Sequence, residues 1–387
     1  MTTNWLRAFR DYRRLKALPE DARQIAFYSE GCHNWPHLGP IVRELAENRA
    51  CALTYISSGL DDPGLEFEFA NVHKFYLGDG AFRTAWFSTS RADLIVMTMP
   101  DLGNSYIRRS VNSSSYVYVH HSMVSTHMIY NDDAFDGFDT IFCVGPHHVA
   151  ETREREAAAG LPAKRLVEHG YGRLDTMLAA LAETKAVEEI NEVARVVVAP
   201  SWGPSCILET CGVELIEALT NAGIHTTVRA HPMTISNNPG LPNDLRRHFG
   251  NDPNFVWETD MNSFESYRQC DVMVSDWSGA ALEFAFAFEK PVLFVDVPPK
   301  IRNSEFDRYQ SVPVEVSLRD RLGEVISADG LSSVSCAVNR LRQNRVRFRQ
   351  GIIEARSATV FNSRSSASTG AGALLELLKD MCQQPGG

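Results

Sequence analysis

Five polar runs, each following an apolar one, carry the residue types that could do chemistry. Tyr116–His120 leads into His121 and Ser122. Arg165–Val167 leads into Gly170-Tyr171-Gly172-Arg173-Leu174-Asp175, and Arg195–Ala199 into Pro200-Ser201-Trp202. Thr226–Val228 leads into Arg229-Ala230-His231-Pro232, and Asp271–Val274 into Ser275-Asp276-Trp277-Ser278-Gly279. Histidine can move protons or donate hydrogen bonds near neutral pH. An arginine fork matches phosphate oxygens two at a time. A Ser/Asp/Ser/Gly turn that opens a helix turns free backbone N–H groups toward an anion. Together these types suit a phosphate- or diphosphate-bearing ligand and an acid–base step.

Each run also has a plainer reading. Ser275, Ser278 and Gly279 allow close approach of a phosphate, and Glu283, one turn into the helix, could reach a ribose diol; the same residues also make an ordinary N-cap. Arg229 and His231 suit a diphosphate and its leaving group; they also suit an Arg–carboxylate pair and a capped turn. His120 and His121 end a buried strand, where a satisfied structural histidine is common. His127, His147 and His148 read as lining or surface.

The elements that must position these residues alternate. Strands are predicted at Gln24–Ser29, Ala50–Ile56, Asp93–Thr98, Tyr116–His120 and Thr140–Val144, with helices near Pro40–Glu47 and His148–Ala159. A helix at Leu174–Lys185 precedes a weakly patterned stretch at Ala186–Glu192. The rhythm then restarts. Strands are predicted at Arg195–Ala199, Thr226–Arg229, Phe255–Glu258, Asp271–Val274 and Pro291–Asp296. Helices are predicted at Ile207–Ala222, Ser263–Gln269 and Ala280–Phe288. Near-continuous apolar strands between helices imply parallel sheets covered on both faces. The expected fold class is α/β, with two Rossmann-like domains whose parallel sheets face a central cleft. Ligands of such sheets bind beyond the carboxyl ends of the strands, where the five runs lie. The expected layout is a basic amphipathic helix at 1–20, a first domain at 21–190, a second at 191–345 and a helical tail at 346–387 that crosses back to the first. A Ser-rich loop is expected near Ser363–Thr369, before a last helix at Ala371–Met381.

Composition narrows the function. The chain has 387 residues, 44% hydrophobic and 22% charged, as in a soluble globular protein of two or three domains. Its formal charge of −10 argues against a nucleic-acid partner. The 8 cysteines show no metal-ligand spacing, which suits reduced thiols in the cytoplasm. No apolar run reaches membrane-span length, and the first residues lack a signal core. Those first residues set Arg7, Arg10, Arg13, Arg14 and Lys16 among Trp5, Phe9 and Tyr12 at helical spacing. Such a helix either rests on an anionic bilayer, making the protein peripheral at the inner face of the plasma membrane, or packs on its own domain or a second subunit.

In this order, the runs resemble the CDP-glycerol glycerophosphotransferase family, the teichoic-acid primases and polymerases of bacterial envelopes. The likeness lies in His121-Ser122 after a strand, Gly170 to Asp175, Ala199-Pro200-Ser201-Trp202, Arg229 to Pro232, and Ser275 to Gly279 with Glu283-Phe284. Gly172 stands where the family usually has Pro, Gly279 where it has Ser, and Glu283 where it has Asp. The resemblance implies a GT-B fold and transfer of glycerol phosphate, or a related polyol phosphate, from CDP-glycerol to a hydroxyl of a lipid-linked or glycan acceptor, with release of CMP. It implies His121, rather than His120, as general base, and His231 with Arg229 against charge on the diphosphate. Asp276 and Glu283 would orient the ribose or polyol. Ser275, Ser278, Gly279, Arg173, Ser201, Trp202 and His120 complete the binding set. No cofactor is implied, and no metal is expected, since no Asp-x-Asp pair stands at a strand end. Two alternatives stay open: a GT-B glycosyltransferase or nucleotide-sugar 2-epimerase using a UDP- or CMP-sugar, and a non-catalytic scaffold of an envelope-assembly complex.

Overall fold

The computed structural model describes residues 3–49, 51–103, 107–112, 115–182, 192–260 and 263–383. The chain divides into two compact units. The first contains residues 1–121, 130–176 and 360–387, and the second residues 122–129 and 177–359. The boundary expected at residue 190 lies outside the described residues.

The first unit is built on seven strands: β1 (Ile25–Ser29), β2 (Leu53–Ser57), β3 (Val72–Tyr76), β4 (Leu94–Met97), β5 (Ser115–Val119), β6 (Thr140–Cys143) and β7 (Arg165–Glu168). They lie in the order β3-β2-β1-β4-β5-β6-β7, every pair parallel. Alternation along each strand feeds two apolar layers. Ile25, Phe27, Leu94, Val96, Val117 and Val119 pack on one face with Leu38, Ile41, Leu374 and Leu377. Ala26, Tyr28, Ile95, Met97, Tyr116 and Tyr118 pack on the other with Leu15, Trp86 and Phe87.

The second unit has six strands: β8 (Arg195–Val198), β9 (His225–Val228), β10 (Phe255–Trp257), β11 (Val272–Ser275), β12 (Val292–Asp296) and β13 (Gly323–Ser327). Their order is β10-β9-β8-β11-β12-β13, again all parallel. Val196, Val198, Val272, Val274, Leu293 and Val295 pack against Leu215, Ile216, Leu219, Val338 and Leu341. The expected α/β class, with two Rossmann-like parallel sheets, is therefore the observed one.

Three expectations change. β3 and β13 were not anticipated, because both are edge strands with polar residues among the apolar ones, the pattern edges use to avoid further pairing. The helix expected at Ile207–Ala222 is two helices, Ile207–Thr210 and Gly212–Thr220, broken at Cys211, whose φ is −145°. The loop expected at Ser363–Thr369 is partly helical. The helix Ser366–Gln383 starts early because Asp175 accepts the Arg364 N–H at 2.6 Å, the Ser366 N–H at 2.9 Å and the Ser366 hydroxyl at 2.6 Å.

That contact also shows how the tail is held on the first unit. Phe361 N–H donates to the Val144 carbonyl at 2.8 Å. Gly170, at φ +98°, lets the Phe361 carbonyl pass where a Cβ would sit 2.3 Å from it.

The basic first helix spans Thr3–Lys16 and packs on its own unit through Ala8, Asp11 and Leu15. The rings of Trp5, Phe9 and Tyr12 gather around Phe82 at 5.5–5.9 Å. Arg7, Arg10 and Arg14 share the buried Asp11 carboxylate. Trp5, Leu6 and Phe9 nevertheless remain 40–54% exposed. Among the described residues, no helix is long and apolar enough to cross a membrane.

Candidate functional site

In the first unit, chemistry gathers where β5 ends. The His121 ring lies between two phenols: Nδ1 is 3.1 Å from the Tyr118 hydroxyl and Nε2 is 3.2 Å from the Tyr130 hydroxyl. Tyr171 donates to the His121 carbonyl at 3.1 Å, which fixes the backbone beneath the ring. Burial pulls the His121 pKa down to about 4, opposed in part by a hydrogen bond with the Thr98 backbone. The imidazole is therefore neutral at physiological pH, with one ring nitrogen protonated and the other an acceptor. The His37 ring stands 6.1 Å away, edge-on. Burial depresses its pKa strongly, and positive charge on Arg173, or on His121 when protonated, adds to the effect. Arg173 thus belongs to the same electrostatic neighbourhood as His37 and His121.

His120 has different surroundings. It is 3% exposed and stacks on His148 at 3.8 Å. Among the described residues its Nε2 has no hydrogen-bond partner, and burial holds its pKa well below the usual histidine value. His120 acts as a packed ring beside the neutral His121.

In the second unit, β8, β9, β11 and β12 all end in polar residues that meet. Asp276, 2% exposed, accepts the Ser201 N–H at 2.6 Å and the Ile207 N–H at 3.0 Å. Its pKa is nonetheless raised, because burial outweighs these donors. The carboxylate is thus turned to the backbone of the Ser201-Trp202 loop. Ser275 is also turned inward, donating to the Ala199 carbonyl at 2.7 Å. Ser278 caps the helix Gly279–Phe288 by accepting the Ala280 N–H at 3.3 Å. A Cβ on Gly279 would come 3.2 Å from the Ser122 hydroxyl oxygen and 3.5 Å from Val124, so glycine here lets the 122–129 segment lie close. Glu283 is half-buried, one turn further on.

Arg229 is committed within its own unit. It pairs with Glu258 at 2.9 Å and donates to the carbonyls of Asp260 and Ser263 at 3.2 and 2.9 Å. It also lies over the Tyr267 ring at 4.9 Å. These contacts favour the plainer Arg–carboxylate reading, with Arg229 bracing the 258–263 segment. His231 is set differently. Its Nδ1 accepts the Met233 N–H at 3.0 Å, which leaves the ring proton on Nε2. Burial, helped by Lys300, holds its pKa down to about 4. The result is a neutral ring with one N–H to give. The Trp202 ring centroid is 6.1 Å from it.

The sequence reading missed Lys300 and Arg302. The Lys300 ammonium lies 3.6 Å from the Trp202 ring centroid and the Arg302 guanidinium 5.3 Å from it. Both follow the carboxyl end of β12. The strand-end rule that selected the other residues would have found them had it been carried past Asp296. Tyr118 and Tyr130 were missed because nothing local marks a tyrosine as a histidine's partner. Among the described residues, no three His, Cys, Asp or Glu side chains gather in a way that could hold a metal ion.

Comparisons with known proteins bear on the fold. No family model and no curated protein matches the sequence. Solved structures do resemble it. The wall teichoic acid polymerase TagF soaked with CDPG is 13% identical with a TM-score of 0.60, covering 98% of each chain. UDP-GlcNAc 2-epimerase from Neisseria meningitidis bound to UDP-GlcNAc is 9% identical with a TM-score of 0.59, covering 91% of this chain and 99% of that one. UDP-GlcNAc 2-epimerase from Methanocaldococcus jannaschii, in complex with UDP-GlcNAc and UDP, is 11% identical with a TM-score of 0.55, covering 92% and 99%. At these identities the likeness concerns the fold, and the chain has a GT-B-like fold of two Rossmann-like units with parallel sheets of seven and six strands.

Proposed function

We propose that this chain is an enzyme that moves glycerol phosphate, or a related polyol phosphate, from CDP-glycerol to a hydroxyl of a lipid-linked or glycan acceptor. The observation that carries the reading is a neutral histidine at a strand end in each unit: His121, with one unprotonated ring nitrogen, and His231, with an Nε2 N–H to give. In the proposed step the acceptor oxygen attacks the phosphorus that bears glycerol. The bond from that phosphorus to the bridging oxygen breaks, and CMP leaves with the electron pair. The acceptor proton passes to His121. The His231 N–H supports charge growing on the departing phosphate. Arg229 and Asp276 act through the backbone they hold. Ser278 and Gly279 present the start of the helix Gly279–Phe288, whose dipole favours an anion. Glu283 orients the ribose or polyol.

The first helix fits an acceptor at a membrane surface. Trp5, Leu6 and Phe9 stay exposed beside arginines, a pattern that suits peripheral binding to anionic lipid from the cytoplasmic side.

The test is CMP release from CDP-glycerol by the wild type and by His121→Ala and His231→Ala, each confirmed folded by melting temperature. Loss of the base is expected to slow turnover roughly 10²- to 10⁴-fold. Wild-type rates in both variants would refute the assignment. A UDP-sugar reading keeps its place because the epimerase structures resemble this fold almost as well as TagF does. Turnover of UDP-GlcNAc and not of CDP-glycerol would establish it instead.

A further inference from the structure

Lysine side chains that are only structural bury their ammonium against acceptors. Lys290 shows the pattern in this unit: its Nζ donates to the carbonyls of Tyr267, Arg268 and Cys270 at 3.2, 2.6 and 2.7 Å. Lys300 does not follow it. Its ammonium is half-buried and sits on the Trp202 face, but makes no hydrogen bond or ion pair among the described residues. A cation withdrawn from water without an acceptor is costly unless an anion completes it.

The support around Lys300 is built. Trp277 Nε1–H donates to the Val297 carbonyl at 2.8 Å, fixing the loop where it leaves β12. The backbone N–H groups of Arg302 and Asn303 donate to the Met128 carbonyl at 2.8 and 3.2 Å, fixing the other side. Met128 is itself held, since Ser125 N–H of the same segment donates to the Glu315 carboxylate at 2.8 Å. The ammonium is therefore placed by a loop tied at both ends, on a tryptophan that follows β8, two strands away in the sheet.

Four charged or titratable groups act on Lys300. Arg302 repels it, and Asp276 and Cys206 attract it at longer range. His231 is the fourth, and it is neutral. The Asp276 carboxylate is occupied by the Ser201 and Ile207 N–H groups. What remains near the Trp202 ring is two cations and an imidazole N–H.

We propose that Lys300, seated on Trp202 beside His231, is the cation that receives the diphosphate of a nucleoside diphosphate-linked donor, with Arg302 as an outer second cation. This rests on the donor-transferase reading but concerns only where the anion binds. Burial and Arg302 bring the Lys300 pKa down to about 8, so the site loses charge just above neutral pH.

The experiment titrates the full chain with inorganic pyrophosphate, CDP, UDP and cytidine by calorimetry, using wild type, Lys300→Gln and Lys300→Arg. Melting temperatures confirm that each variant is folded. Lys300→Gln should weaken pyrophosphate and CDP binding roughly 10- to 100-fold and leave cytidine within about twofold. Wild-type affinity for the diphosphates should fall above about pH 8, and in Lys300→Arg it should stay flat to higher pH, because guanidinium does not titrate there. Equal diphosphate affinity in wild type and Lys300→Gln would overturn the proposal, as would an unchanged pH profile in Lys300→Arg. The two readings fail separately. Pyrophosphate binding that depends on Lys300, without binding of CDP, upholds the anion site and removes the cytidine donor. CDP binding that ignores Lys300 does the reverse.

Discussion

Asp276→Ala removes a carboxylate on which the second unit's strand-end loops depend. The group is 2% exposed and accepts two backbone N–H groups, from Ser201 at 2.6 Å and Ile207 at 3.0 Å. Hydrogen bonds to a charged partner contribute about 1.5–3 kcal/mol each, and a buried N–H left alone costs about 1–3 kcal/mol. Burial has already consumed part of that gain, as the raised pKa shows. A net loss of about 3 kcal/mol follows. For a domain of about 150–250 residues each kcal/mol moves the melting temperature by roughly 2–4 °C, so the second unit should melt roughly 6–12 °C lower. Asp276→Asn should lose about half as much, because its neutral carbonyl keeps one N–H bonded and avoids the cost of a buried charge. The assay is thermal melting followed by circular dichroism, paired with pyrophosphate titration. Release of the Ser201-Trp202 loop should weaken pyrophosphate binding in the alanine variant as well. An Asp276→Ala protein that melts within about 1 °C of wild type would refute the view that this carboxylate holds the loop.

Acidification should destabilise the protein before its carboxylates titrate. His121, His169 and His231 all have pKa values held down to about 4 by burial. A depressed histidine contributes its stability above the unfolded value of about 6.5 and loses it as the pH falls toward about 4. Denaturant midpoints at pH 7, 5.5 and 4.5 should fall in that order, and a flat profile would contradict neutral burial. Gly170→Ala should loosen the crossing tail, since the glycine combines φ +98° with a carbonyl 2.3 Å from any added Cβ. Limited proteolysis should then cut near residues 360–366 sooner than in wild type, and an unchanged digestion rate would show that the tail is held elsewhere.

Much of this was legible in the sequence. The parallel sheets announced themselves as apolar runs such as Arg195–Ala199 and Pro291–Asp296, because strands covered on both faces need no polar alternation. His121, Ser201, Trp202, His231 and Asp276 were found by looking just past those runs. Roles were harder to read than places. Arg229 was legible as a strand-end cation, but its partner Glu258 stands 29 residues later in the chain, and no local pattern joins them. Asp276 was legible as acidic at a helix start, but its orientation toward Ser201 N–H depends on neighbouring strands. β3 and β13 escaped because edges are polar for the same reason that cores are not.

The bond that breaks decides the central claim. Phosphoryl transfer from a nucleoside diphosphate-linked polyol releases a nucleoside monophosphate, whereas glycosyl transfer releases the diphosphate. Mass analysis of the nucleotide formed when the full chain meets CDP-glycerol, UDP-GlcNAc and a lipid-linked hydroxyl acceptor reads that difference directly. The account predicts CMP from CDP-glycerol, with glycerol phosphate gained by the acceptor. UDP formed from UDP-GlcNAc, with CDP-glycerol left intact, would contradict it.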